Sequence, residues 1–180
     1  MKKILAFAGS NSSVSINGKL VQFAISEINN HDVKLIKLTE YPLPIFSEDL
    51  EKEKGYSVEV MMLKNEIQAA DALIISVNEH NGALSSFFKN VLDWLSRLDR
   101  NFLEGKKIML MSTSNGKRGA ATALEYAKGV LPRFGGEIIE SFSFPSFSEN
   151  FSVEKNTVTN ELLLLGFQDV IQNFEHQIGQ

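Results

Sequence analysis

Residues 3–20 read KILAFAGSNSSVSINGKL. Three patterns follow one another in this stretch. Lys3 to Ala8 is a short apolar run closed by Gly9, the pattern of a strand buried on both faces. From Gly9 to Asn17 the polar side chains are small hydroxyls and amides, with no acidic residue among them. Beyond them Leu20, Val21, Ala24, Ile25 and Ile28 recur at helical spacing, which predicts a helix from about Asn17 to Asn30. Strand, polar loop and helix make the opening of a β–α unit. The open question is whether that loop serves a ligand or only turns the chain.

Outward from this unit the alternation repeats. Val33 to Leu38 reads as a second strand, and the two prolines of Tyr41-Pro-Leu-Pro-Ile-Phe46 then forbid regular structure. Leu50 to Tyr56 is highly charged and reads as exposed. A helix is predicted over Val58–Ala69 and a third buried strand over Asp71–Asn78. A polar loop, Asn78 to Ala83, leads into a helix from Leu84 to about Leu98. Lys107–Ser112 is the fourth strand. The helix Ala120–Leu131 is stopped by Pro132 and Gly135-Gly136. Glu137–Phe144 is the fifth strand, and Glu154–Gln177 the last helix, with a break or kink expected near Gly166. Strands alternating with helices predict an α/β fold, a parallel sheet covered on both faces. With 180 residues, no repeat and no linker, the whole chain, 1–180, is expected to form a single domain.

In such a sheet a ligand sits beyond the carboxyl ends of the strands, at the point where the strand order reverses. Three loops qualify: Gly9 to Asn17, Asn78 to Gly82, and Ser112 to Gly119. The bulk properties narrow what they do. A net charge of −4 argues against nucleic acid, whose binders present basic surfaces. The absence of cysteine excludes disulfides, thiolate nucleophiles and cysteine-based metal sites. His31, His80 and His176 have no metal-ligand spacing, so no metal is expected. The start, Met1-Lys-Lys-Ile-Leu-Ala-Phe-Ala-Gly9, mimics a signal peptide, but its apolar core falls short of the roughly 7–15 residues such a segment needs. No membrane span is expected, and the expected location is the cytoplasm.

A helix N-terminus offers unpaired N–H groups and a partial positive charge. A phosphate held there needs small hydroxyls and amides around it, as Ser10, Ser12, Ser13, Ser15 and Asn17 provide. Gly18-Lys19 is followed by Leu20, so the loop is not a nucleoside-triphosphate P-loop, and no G-x-G-x-x-G occurs. A helix start capped by Ser15 or Asn17 would leave the same residues, and the loop alone does not choose between the two.

The other loops do. Gly9-Ser10 with Ser15-x-Asn17 resembles the opening loop of the NAD(P)H-dependent FMN reductases. Asn78-Glu-His-Asn-Gly-Ala-Leu-Ser-Ser-Phe-Phe-Lys-Asn-Val-Leu-Asp-Trp94 resembles that family's Pro-Glu-Tyr-Asn-Gly, eight residues ending Leu-Lys-Asn, two more and Asp-Trp. Glu79, Asn81, Gly82, Lys89, Asn90, Asp93 and Trp94 match in register. Ser112-Thr-Ser-Asn-Gly-Lys-Arg-Gly119 looks like the family's Gly-rich loop after its fourth strand. The resemblance covers roughly residues 2 to 145. It implies a flavodoxin-like three-layer sandwich with a five-stranded parallel sheet in the order 2-1-3-4-5. It implies FMN as cofactor, NADPH or NADH as electron donor, and a small-molecule acceptor such as free flavin, a quinone or an azo compound. It also implies a homodimer or homotetramer.

On the same resemblance Ser10, Ser12, Ser15, Ile16 and Asn17 hold the phosphate. Asn78, Glu79, His80, Asn81 and Gly82 run along one edge of the ring system, and Thr113, Ser114, Asn115 and Gly116 close the other side. No catalytic side chain is implied, because the cofactor carries the hydride chemistry. Two departures stand out: Ser12 occupies the place of an arginine, and Asn78-Glu79-His80 that of Pro-Glu-Tyr. His80 reads as a flat wall beside the ring rather than a base. Glu79 is expected to order its loop or reach a partner chain. Lys117-Arg118 suits the extra phosphate of NADPH or a solvated helix start. Phe87, Phe88, Val91, Trp94 and Leu95 are expected to supply a subunit surface. Two other functions share the fold. A flavodoxin-type electron carrier would open with a Thr-rich loop that is absent here. A phosphorylated receiver domain would need an acidic cluster after strand one, where this chain has Gly9-Ser10.

Overall fold

The computed structural model describes residues 1–180. The chain runs β1 (Lys3–Ala8), α1 (Ile16–Glu27), β2 (Asp32–Leu35), α2 (Glu48–Lys54), α3 (Val58–Ala69), β3 (Ala72–Val77), β4 (Glu79–His80) and β5 (Ala83–Leu84). It continues α4 (Ser86–Leu98), β6 (Lys107–Thr113), α5 (Ala121–Val130), β7 (Glu137–Phe144), α6 (Phe147–Asn150), β8 (Phe151–Ser152), β9 (Thr157–Val158) and α7 (Glu161–Gly179). The central sheet has the order β2-β1-β3-β6-β7 and is parallel throughout. This is the expected flavodoxin-like order, with the reversal between β1 and β3.

The apolar runs of the strands are continuous because successive side chains feed two different cores. Leu5, Phe7, Leu73, Ile75, Ile108 and Leu110 point to one face, where α3, α4 and α5 pack. Ile4, Ala6, Ala72, Ile74, Met109 and Met111 point to the other, where α1 and α7 pack.

The structure corrects or completes several expectations. The second strand ends at Leu35, before the short 3-10 turn Leu38–Glu40. The charged segment after Phe46 is exposed as expected, none of its residues being buried, and it forms the helix α2, capped by the Ser47 hydroxyl on the Leu50 N–H. The polar loop after β3 contains the two-residue hairpin β4–β5. The last helix does not begin at Glu154: Phe151–Ser152 and Thr157–Val158 pair as an antiparallel hairpin that buries Phe151 and Val158, and α7 starts at Glu161 behind its Asn160 cap. Nor does α7 break at Gly166. A Cβ at Gly166 would meet only the Phe142 ring, at an ordinary contact distance of 3.9 Å, so the glycine is not required for packing there.

The aromatic stripe of α4 is also placed differently from expectation. Phe88, Val91, Trp94 and Leu95 are buried within the chain's own core, with Phe87 packed against it. Phe88, Val91 and Leu95 face Phe7 and Ile75 of the sheet and Leu63 and Ile67 of α3, and the Tyr41–Tyr56 segment covers Trp94. Trp94 Nε1 donates to the Pro44 carbonyl at 2.7 Å, Asn90 Nδ2 donates to the same carbonyl at 2.9 Å, and Asn90 Oδ1 accepts from the Phe46 N–H at 2.8 Å. Phe46 and Tyr56 stand edge-on to the Trp94 ring. The four residues of the Lys89–Trp94 motif thereby have structural partners. Asn90 and Trp94 clasp a proline-rich strap, and Lys89 pairs with Asp93 along the helix at 2.6 Å.

Candidate functional site

Three loops meet at the carboxyl edge of the sheet, after β1, β3 and β6. The first is a chain of serine-capped turns. Ser10 Oγ accepts from the Ser12 N–H at 3.2 Å, Ser12 Oγ from the Val14 N–H at 3.3 Å, and Ser15 Oγ from the Gly18 N–H at 3.0 Å as the N-cap of α1. Each hydroxyl thus uses its oxygen on the backbone and keeps its proton for an outside acceptor. The N–H groups of Ile16 and Asn17, in the first turn of α1, have no partner within the helix. No carboxylate lies between Lys3 and Asn17. The loop therefore gathers donors and a helix N-terminus, the arrangement that suits an anion.

A cavity of about 470 Å³ lies against this loop. Its walls are Ser10–Ser15 with Gly18, Lys19 and Gln22 on one side, and Leu35–Thr39, beyond the end of β2, on the other. Sequence reasoning missed the second wall, which includes Lys37. Lys37 lies on the β2 side of the loop, brought there by the β1–β2 pairing and not by any local motif. Residues 78–82 and 113–116 do not line this cavity. They stand on the opposite side of the loop, over β3 and β6.

Asn17 does something other than expected. It is 3% exposed, and its carboxamide holds the three loops together. Oδ1 accepts from the Ser76 hydroxyl at 2.8 Å and from the Thr113 N–H at 3.0 Å, while Nδ2 donates to the Thr113 carbonyl at 3.2 Å. Its side chain is committed to the ends of β3 and β6 and only its backbone faces the loop. Thr113 is likewise buried, its hydroxyl donating to the Phe144 carbonyl at 2.8 Å. Ser85, absent from the expected set, closes the network: its hydroxyl donates to the Gly9 carbonyl at 2.9 Å while capping α4 through the Phe88 N–H. The signal for Ser76 and Ser85 was available as a serine ending an apolar run and a serine opening a helix.

The second loop is the β4–β5 hairpin. Asn81 and Gly82 form its two-residue turn with φ of 53° and 73°, both left-handed, the turn that matches strand twist. Asn78 is buried at the end of β3, and its Nδ2 lies 3.1 Å from His80 Nε2. Glu79 Oε2 accepts from the Ala123 N–H at 3.0 Å and so orders the hairpin against α5. In the third loop Ser114 Oγ accepts from the Gly116 N–H, and the Ser114 and Gly116 carbonyls accept from Phe147 and Ser146. Asn115 and Gly116 remain exposed, as do Lys117 and Arg118. Arg118 Nη2 donates to Thr122 Oγ1 at 2.9 Å.

No helix is long and apolar enough to cross a membrane. Known proteins resemble this chain in sequence and in fold. The family model described as NADPH-dependent FMN reductase matches residues 2–149. A quinone reductase of Escherichia coli is 29% identical over 117 residues, which is 59% of this chain and 62% of that protein. An NAD(P)H-dependent FMN reductase of Pseudomonas aeruginosa is 29% identical over 130 residues, 72% of this chain and 69% of that one. Among solved structures, the flavoenzyme NAD(P)H:(acceptor) oxidoreductase FerB from Paracoccus denitrificans superposes with a TM-score of 0.83 at 25% identity, over 99% of this chain and 98% of its own. An azoreductase from Bacillus anthracis shares the fold at a TM-score of 0.68 and 17% identity, over 98% of this chain and 100% of its own. With its strand order, its serine loop and its Glu79–Trp94 motif in place, the chain belongs to the NADPH-dependent FMN reductase family.

Proposed function

We propose that the protein is an oxidoreductase that holds FMN at the carboxyl edge of the sheet, takes electrons from NADPH or NADH and passes them to a small-molecule acceptor such as a quinone, an azo compound or free flavin. The observation that carries this reading is the donor set after β1: three hydroxyls with free protons and the open N–H groups of α1, with no carboxylate beside them. These residues fit a phosphate monoester. They would hold it without the arginine that the family places at Ser12, with Lys19 and Lys37 the nearest bases of the adjoining cavity. FMN, when bound, supplies the hydride-accepting chemistry.

The chain's part is to bind and align. Asn78 to Gly82 and Thr113 to Gly116 are the segments assigned to the ring, with Gly82 and Gly116 permitting close backbone approach. No side chain is given the role of acid or base. Glu79 Oε2 is engaged by the Ala123 N–H, which suits a strut, and His80 is exposed on the hairpin, where a flat ring suits a wall. Lys117 and Arg118, exposed beside the third loop, are candidates for the extra phosphate of NADPH. A homodimer or homotetramer belongs to the same proposal and rests on the family resemblance, since the α4 stripe is internal. A cytoplasmic location follows from the choice of an intracellular nucleotide as donor.

The test is the visible spectrum of the protein after saturation with FMN, followed by NADPH under nitrogen. Bleaching of the bound flavin is expected. A protein that binds FMN and is not reduced by either nucleotide would be an electron carrier instead, and one that takes up no FMN at micromolar concentration would refute the reading.

A further inference from the structure

Asn78 is 9% exposed, and its Oδ1 is a buried side-chain oxygen with no hydrogen-bond partner and no access to solvent. A carbonyl oxygen shut away without a donor is a standing penalty on a fold and calls for a cause. The cause lies one contact away. Nδ2 is 3.1 Å from His80 Nε2. An amide nitrogen only donates, so in this pairing Nε2 is the acceptor, the role it has in the tautomer protonated at Nδ1. His80 itself is exposed, on the hairpin whose turn is Asn81-Gly82. The imidazole is thus held to a buried carboxamide by a single hydrogen bond, from a position at the surface. Turning the ring away breaks that one bond and frees the donor of the carboxamide beside its unpaired acceptor.

A carboxamide with both atoms free presents a donor and an acceptor side by side. Its complement is a ring edge carrying an N–H next to a C=O, as in a cyclic imide. The isoalloxazine of FMN has such an edge, at N3–H between two carbonyls. We propose that Asn78 is a specificity-determining residue that reads this imide edge, and that His80 covers it until the ring system binds. The inference rests on the FMN reading above. It concerns a side chain for which the family's usual proline has no counterpart. Oδ1 gains the donor it lacks, and Nδ2 exchanges the imidazole for a carbonyl.

The experiment compares FMN with its N3-methyl analogue, which keeps the phosphate and the ring but lacks the N–H, by fluorescence titration of the apoprotein. Wild type is expected to prefer FMN by about tenfold or more. Asn78→Leu, of nearly the same size, should bind both flavins with equal affinity, while its unliganded form melts no lower than wild type because the unpaired oxygen is gone. His80→Ala should keep the preference and bind FMN at least as tightly as wild type. Equal binding of the two flavins by wild type overturns the proposal without recourse to any variant. So does a preference that persists in Asn78→Leu or disappears in His80→Ala. A wild-type protein that binds neither flavin refutes the FMN reading itself, and this inference with it.

Discussion

Asn17→Ala isolates the contact that joins the three loops. The change removes bonds of 2.8, 3.0 and 3.2 Å and leaves the Ser76 hydroxyl, the Thr113 N–H and the Thr113 carbonyl without their partner. Ser76 is 0% exposed and Thr113 is 1% exposed, so water does not replace the lost amide without opening the site. A hydroxyl can rotate toward another acceptor, whereas the backbone groups of Thr113 are fixed at the end of β6. Each buried group left unsatisfied costs about 1–3 kcal/mol. Two fixed groups and one adaptable one therefore sum to about 3–5 kcal/mol. Alanine is a better helix former than asparagine by up to about 0.7 kcal/mol, which offsets little of this. A net loss of about 3–4 kcal/mol is a large share of a typical 5–15 kcal/mol and should lower Tm by about 6–15 °C. Urea unfolding at 25 °C measures it directly. The m-value should be unchanged, and a cycle with Ser76→Ala should show a coupling of at least about 0.5 kcal/mol. A loss below about 1 kcal/mol, with strictly additive single variants, would mean that the loops are held by something else.

Two further predictions rest on other elements. Gly119 has φ of +56°, and a Cβ there would stand 2.6 Å from the Phe144 carbonyl oxygen, so Gly119→Ala should cost about 2–4 kcal/mol in chemical denaturation. Gly105, with φ of +71° and open space around it, is the control: its alanine variant should lose only about 1–2 kcal/mol, and equal losses at the two sites would refute the steric argument. Hydrogen bonds from Arg97, and secondarily from the Tyr56 hydroxyl, hold the Glu51 carboxyl below its ordinary 4.5. A carboxyl lowered by folding stabilises above its unfolded value, and the contribution is lost as pH falls through the lowered folded value. Stability measured between about pH 5 and pH 3 should therefore fall less steeply in Glu51→Gln than in wild type, and parallel curves would show that the pair contributes nothing.

The frame of the fold was legible because its signals are local. Lys3–Ala8 and Leu20–Ile28 change period across one loop, and the strand order followed once the family motif was placed. What escaped was either too short for a period or too distant in sequence. Strands of two residues, such as Glu79–His80 and Ala83–Leu84, carry no alternation, and only Asn81-Gly82 marked the turn between them. The Phe151–Val158 hairpin is hidden in the same way, its second strand, Thr157–Val158, falling within the expected last helix. The commitment of Asn17 could not be read locally, since Ser76 and Thr113 are 59 and 96 residues away. The α4 stripe misled for a related reason: large apolar side chains on a helix do not say which surface will cover them. Here the sheet and α3 cover Phe88, Val91 and Leu95, and a strap held by Asn90 and Trp94 covers the Trp94 ring.

One cap has a wider effect. Ala120, which precedes α5, is left-handed with φ of 62° and has no side chain able to close the helix. That service comes from Glu79 on the hairpin, which accepts from the N–H of Ala123, 44 positions further along the chain. The hairpin and the first turn of α5 are therefore a single mechanical unit, a clutch whose two plates meet at one carboxylate. A displacement of the hairpin by an occupant of the site is expected to lengthen or shorten this bond to the Ala123 amide. The start of α5 is in this sense a gauge, and its amide-exchange rate gives a readout of the hairpin that needs no chromophore.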